Sequence, residues 1–191
     1  PRVTRLFVAP GNGGTGDVAQ NVPLAVEDIP ALVDFAQQEG IDLTVVGPEV
    51  PLVAGLVDAF TRAGLRAFGP SAAAAQLEGS KAFAKRFMFE EGIPTGVGAI
   101  FDDHEAALAY LRRQFLSPEG QVGIVVKASG LAAGKGVVVC PTLAEAEDAL
   151  YRTMVKRTFG AAGDEVLIED CLVGEEASLL AFSDGRTIVS V

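Results

Sequence analysis

The segment 125–139, Val-Val-Lys-Ala-Ser-Gly-Leu-Ala-Ala-Gly-Lys-Gly-Val-Val-Val, constrains this chain more than any other stretch. A β-branched run ends in Lys127. A loop with Gly130, Gly134 and Gly136 and a second lysine, Lys135, follows, and another β-branched run begins at Val137. This reads as a strand, a loop and a return strand. Glycines in such a loop let backbone N–H groups approach phosphate oxygens. The Walker A pattern has four residues between its first glycine and Gly-Lys, then Ser or Thr, then a helix. Here three residues separate Gly130 from Gly134, Gly136 stands in the hydroxyl position, and a strand follows. The pattern therefore predicts a hairpin loop that covers phosphate groups and is not a Walker A loop. The plainer alternative is an ordinary glycine-rich hairpin with solvated lysines.

Composition narrows the setting. The chain has 191 residues, 49% of them hydrophobic, enough for one or two domains with a real core. No apolar run approaches the ~20 residues that span a membrane, and the start shows no signal-peptide pattern. Cys140 and Cys171 lie far apart and read as separate thiols in a reducing compartment, so a cytoplasmic location is expected. A net charge of −10 argues against nucleic acid, which demands a basic face. It also requires that any nucleotide site concentrate its cations locally. Of five lysines, Lys81, Lys127 and Lys135 sit in glycine-containing motifs. The single histidine, His104, stands among Asp102, Asp103 and Glu105 and reads as a solvated surface group. One histidine leaves little for a Ser-His-Asp mechanism, and no CxxC or HExxH pattern points to zinc.

The order of elements predicts an α/β protein. Strands are expected at 3–9, around 21–24, at 41–46 and at 65–68. Helices are expected from the Asp28 cap to Gly40 and at 51–63. Alternation of this kind signals a parallel sheet. A composition change follows at the alanine-rich 71–77, with a boundary near Gly79. Beyond it come helices at 81–91, 106–114 and 143–155, and strands at 122–127, 137–140, 165–172, 177–183 and 187–191. That second part reads as α+β, not as a continued doubly wound sheet.

Four further motifs carry candidate chemistry. In 168–178 a strand runs into the acidic pair Glu169-Asp170 and on through Leu172 to Glu176. Extended backbone there suits an adenine edge, and a later carboxylate suits ribose hydroxyls; an acidic surface turn is the alternative. In 77–85, Ser80 is a plausible N-cap. Lys81 in the first turn opposes the helix dipole unless an anion compensates, while Lys85 and Arg86 read as solvated. Gly47, Pro48 and Glu49 lie at the carboxyl end of a strand, where α/β proteins place ligands; a simple turn is the alternative. Pro10, Gly11 and Asn12 also follow a strand, but no helix opens directly on them, so a dinucleotide fingerprint is a weak reading.

Taken together, in order and spacing, these blocks resemble one family: glycinamide ribonucleotide synthetase, or phosphoribosylamine–glycine ligase, an ATP-grasp enzyme. The resemblance rests on 7–12, on 42–52 with its Gly-Pro-Glu-x-Pro-Leu, on 68–71, on 75–83 with its Leu-Glu-Gly-Ser-Lys, on 126–136 and on 169–178. It implies a Rossmann-like substrate domain at 1–78 and the start of an ATP-grasp domain at 79–99. A lid subdomain at 100–168 and a truncated hinge and core at 169–191 complete the expected organisation. It implies ATP-dependent joining of glycine to 5-phosphoribosylamine in purine biosynthesis, through glycyl phosphate. By the same resemblance Lys81, Lys127 and Lys135 contact ATP phosphates under the loop of Gly130, Gly134 and Gly136. Asp170 and Leu172 read adenine through their backbones, with Glu169 beside the base and Glu176 on the ribose. Pro10, Gly11, Asn12, Gly47, Pro48 and Glu49 line the phosphoribosylamine site. ATP with Mg2+ or Mn2+ is implied, the metal ligands lying in a later block beyond Val191, so no metal residue is expected here. The segment resembles the N-terminal half of the enzyme without its first strand–helix unit, and alone is expected to be inactive. Small-molecule substrates, a monomer, and no nucleic-acid or membrane partner are expected. Another ATP-grasp ligase or carboxylase, or a non-catalytic nucleotide-binding module, stands as the alternative.

Overall fold

The computed structural model of the chain describes residues 3–116, 123–132 and 134–191. The first half alternates short strands with helices. Strand β1 (Phe7–Val8) pairs in parallel with β2 (Gln20–Asn21). Helix α1 (Ile29–Gln38) opens where Asp28 accepts from Ala31 N (3.2 Å) and ends before Gly40, which takes φ +62°. Strand β3 (Thr44–Val45) pairs in parallel with β4 (Ala67–Phe68). The expected parallel α/β unit is thus present. Its strands are shorter than the apolar runs that announce them, and they form two separate pairs.

The helix expected at 51–63 is two helices, α2 (Glu49–Val53) and α3 (Leu56–Arg62). Gly55 between them sits at φ +88°, a left-handed conformation that a continuous helix cannot contain. The break lets α3 direct Leu56 and Phe60 into a core with Ala36 and Val46. Helix α4 (Ala72–Gly79) follows, capped by Ser71, and its first N–H donates to Asp58 Oδ2 (2.7 Å).

The second half is built on one antiparallel sheet. Helix α5 (Lys81–Glu90) precedes β5 (Gly98–Phe101), then α6 (His104–Phe115), β6 (Ile124–Ala128), β7 (Val137–Cys140), α7 (Leu143–Leu150) and β8 (Val166–Asp170). The strand order is β5-β8-β6-β7, with every neighbour antiparallel. This is the α+β arrangement expected for the region. Residue 122, expected to open β6, and Ala133 of the loop lie outside the described residues, as do 117–121 of the expected lid.

Side-chain alternation divides this sheet into two faces with different tasks. Ile124, Val126, Val166 and Ile168 point to one face and are buried with Ala107 and Leu111 of α6 and Ala149 and Leu150 of α7. Val125, Lys127, Leu167 and Glu169 point to the other. Helix α7 starts with a reciprocal cap in which Glu145 N donates to Thr142 Oγ1 (3.3 Å) and Thr142 N donates to Glu145 Oε2 (3.1 Å). The helix expected to run to 155 widens into a π turn at Tyr151–Val155. Residues 171–180 carry no regular structure, so the strand expected at 177–183 begins only at β9 (Ala181–Ser183), which pairs with β10 (Ile188–Ser190).

Candidate functional site

The polar face of the sheet meets α5. Residues 81, 84, 85 and 88 recur at helical spacing on one side of α5 and, with Lys127, Leu167 and Glu169, line a cavity of about 310 Å³. Register explains the meeting of charges. Lys127 lies opposite Leu167, and Glu169 lies opposite Val125, so Lys127 and Glu169 are diagonal neighbours on one face. Lys127 Nζ is ion-paired with Glu169 Oε2, and Lys85 Nζ with Glu169 Oε1. Burial of Glu169 works to raise its pKa. Its bonds to Lys127 and Lys85 outweigh that and hold the carboxyl below the usual range.

Lys85 is the site residue that sequence reasoning misplaced. It was expected in solvent, yet it is 1% exposed. Besides Glu169 it donates to Thr95 Oγ1 (2.7 Å) and to Gly96 O (2.6 Å). The signal was its spacing: Lys85 stands four residues after Lys81 and three after the fully buried Ala82, on the inward stripe of α5. Arg86, one residue on, is half exposed and paired with Glu165, close to the solvated reading.

Ser129 was missed as well. It is 4% exposed and closes the N-terminus of α5. Its carbonyl accepts from Lys81 N (2.7 Å) and its Oγ from Ala82 N (3.1 Å). Ser80 Oγ accepts from Phe83 N (3.1 Å) and Ser80 O from Ala84 N (2.9 Å). All four first-turn N–H groups are therefore satisfied within the chain, and the helix end offers no free anion cradle. The Lys81 side chain donates to Gly130 O (3.3 Å).

The hairpin loop joins β6 to β7, as expected. Its glycines serve packing first. A Cβ on Gly130 would lie 2.7 Å from Ala162 Cα, and one on Gly136 would lie 2.7 Å from Ala132 Cβ. Gly130 N donates to Ala162 O (3.0 Å), so this N–H is already engaged. Gly134 alone of the three takes a positive φ, +75°, and Lys135 projects into solvent beside it. At the hinge, Asp170 N donates to Val97 O (2.9 Å) and Cys171 N to Gly123 O (3.1 Å). Leu172 and Glu176 are exposed beyond it, and Glu176 is not among the residues lining the cavity of Lys127 and Glu169.

The two strand-end loops of the first half lie elsewhere. Gly47 and Pro48 line a largely apolar cleft of about 490 Å³ with Ala9 and Phe7. Asn12 is spent on its own loop: its Oδ1 accepts from Gly14 N (2.9 Å) and Thr15 N (3.0 Å), and its carbonyl accepts from Asn21 Nδ2 (2.7 Å). Gly11 takes φ +77° and a Cβ there would overlap the Asn21 side chain. Glu49 is exposed in the first turn of α2. Both cysteines are free, and burial pushes the Cys140 thiol up. His104 is 24% exposed at its side chain, bonded to Glu105 and edge-on to Tyr151.

A parallel α/β unit followed by an antiparallel sheet, with a glycine-rich hairpin beside a lysine-lined cavity, defines the ATP-grasp class. Its fold recurs in N5-carboxyaminoimidazole ribonucleotide synthetase from Thermus thermophilus (TM-score 0.60, 22% identity, 88% of this chain and 40% of that one). Residues 1–78 match the N domain of phosphoribosylglycinamide synthetase, and 79–191 match its ATP-grasp (A) domain. The chain belongs to the phosphoribosylglycinamide synthetase family. It is similar to phosphoribosylamine–glycine ligases of Allochromatium vinosum (55% identical over 193 residues) and Escherichia coli K12 (54% over 191), each alignment covering 99% of this chain. The solved phosphoribosylamine–glycine ligase of Thermotoga maritima matches 97% of the chain and 42% of its own, with TM-score 0.74 and 27% identity. The chain spans 43% of the length of those curated relatives.

Proposed function

We propose that this chain forms the nucleotide-gripping part of an ATP-dependent phosphoribosylamine–glycine ligase. The observation that carries the reading is the convergence of Lys81, Lys85 and Lys127 on one cavity, in a chain of net charge −10. Three of the five lysines line the cavity against the carboxylates of Glu78 and Glu169, which leaves a local excess of positive charge where phosphates would lie. In the proposed reaction the γ-phosphoryl group passes from ATP to a glycine carboxylate oxygen, giving ADP and glycyl phosphate. The amine nitrogen of 5-phosphoribosylamine then attacks the acyl carbon and phosphate leaves, forming the amide. Such chemistry needs positioning and cations on the transferred group more than a protein nucleophile.

Lys127 and Lys81 hold the phosphates in this reading, Lys135 reaches them as the loop of Gly134 and Gly136 closes, and residues 100–168 act as the lid. Asp170 and Leu172 present their backbones to adenine, Glu176 takes the ribose hydroxyls, and the Gly47-Pro48-Glu49 and Pro10-Gly11-Asn12 loops receive phosphoribosylamine. A divalent ion, Mg2+ or Mn2+, shields the phosphates when bound. Among the described residues no three His, Cys, Asp or Glu side chains gather to hold a metal. Among the described residues no helix is long and apolar enough to cross a membrane. The partners are the small-molecule substrates, acting on a monomer.

The test is phosphate release from ATP by the polypeptide spanning the relatives' length. Release that requires both glycine and phosphoribosylamine is expected. Release with a different acid or amine would retain the ATP-grasp class and overturn the substrates. A Lys127→Ala variant is expected to weaken ATP binding by at least about tenfold, checked by calorimetric titration.

A further inference from the structure

Two lysines share one buried carboxylate, and their surroundings differ. The Lys85 side chain is 1% exposed and the Lys127 side chain 28%. A lysine ammonium has three donors. Those of Lys85 are matched by Glu169 Oε1, Thr95 Oγ1 and Gly96 O, which tie α5, the linker before β5 and the end of β8 together. Lys127 has Glu169 as its one polar side-chain partner among the described residues and faces the cavity.

The asymmetry has a chemical consequence. A phosphate entering the cavity competes with Glu169 for Lys127. If Lys127 were the sole counter-ion, its departure would leave an unpaired carboxylate, 8% exposed, which is strongly unfavourable. With Lys85 fixed on the other oxygen, the carboxylate stays neutralised. We propose that Lys85 is a positioning residue, a permanent counter-ion to Glu169 that frees Lys127 to move onto the phosphates of a bound nucleotide. This rests on the nucleotide-binding reading above. Lys85 itself touches no nucleotide in this scheme.

The experiment is a double-mutant cycle read by calorimetric titration of ATP into the protein, using wild type, Lys85→Met, Glu169→Gln and the double variant. In the presence of Glu169, Lys85→Met leaves Lys127 trapped as the carboxylate's remaining partner, and ATP affinity is expected to fall about tenfold or more. In the Glu169→Gln background no carboxylate holds Lys127, and the same substitution is expected to change affinity by less than about threefold. Equal losses in the two backgrounds would overturn the proposal, because a packing role moves both alike. Should Lys85→Met fail to fold, Lys85→Gln carries the same comparison: it retains hydrogen-bonding capacity toward Thr95 and Gly96 and lacks the charge. Wild-type protein that binds no ATP would overturn the nucleotide reading and this proposal with it. Binding with uncoupled losses overturns the proposal alone.

Discussion

At Glu169 burial and charge pull in opposite directions. Burial favours the protonated acid, and the Lys127 and Lys85 ammonium groups together favour the carboxylate more, so the folded pKa lies below the reference value of 4.5. A depressed carboxyl stabilises the fold fully above its unfolded pKa and loses that contribution as pH falls through the lower folded value. The thermal midpoint of the wild type should therefore drop steeply on acidification below 4.5. Glu169→Gln should start from a lower midpoint, since it strands Lys85, and show a shallower acid limb; melts across that pH range by circular dichroism check both. Ser129 offers a second test at this scale. Ser129→Ala strips the acceptor from the buried Ala82 N–H and should cost about 1–2 kcal/mol in urea unfolding. Neither Lys85 nor Ser129 stood out in the sequence. A lysine on a helix and a serine in a loop are ordinary surface residues until something packs over them.

At the scale of elements, the caps were readable and the breaks were not. Asp28 and Ser80, the two caps expected from the sequence, accept at their helix starts, because an N-cap acts over three residues of local chain; Ser71, Asp103 and Thr142 do the same at helix starts where no cap was named. Gly55 is different. Periodicity places it inside one helix, where replacement by alanine would stabilise by about 1 kcal/mol. At φ +88° the same Gly55→Ala change should instead destabilise by about 1–2 kcal/mol, a difference of sign that chemical denaturation reads directly. Gly130 makes a parallel case in the hairpin. The loop invites a phosphate explanation, but the contact with Ala162 already excludes a side chain. Gly130→Ala should cost about 1–3 kcal/mol through overpacking, measured on the protein without nucleotide.

Across the whole molecule, order is unevenly distributed. Two buried clusters anchor it, one around Phe60 and Val46 and one around Leu150 and Ile168. Amide exchange should follow this division. Peptides from the central strands β6 and β8 should exchange slowest, as mass spectrometry of a deuterium time course will read. The amino-acid sequence by itself determined the strand-loop-strand hairpin, the Asp28 and Ser80 caps, the family and the lysines of the glycine-containing motifs, because these are written in contiguous residues. Only the tertiary structure decided which lysine is buried, that Ser129 seals the end of α5, and that Lys127 and Glu169 meet across strands. Those facts depend on register and on which face of α5 turns inward, which bring together residues tens of positions apart.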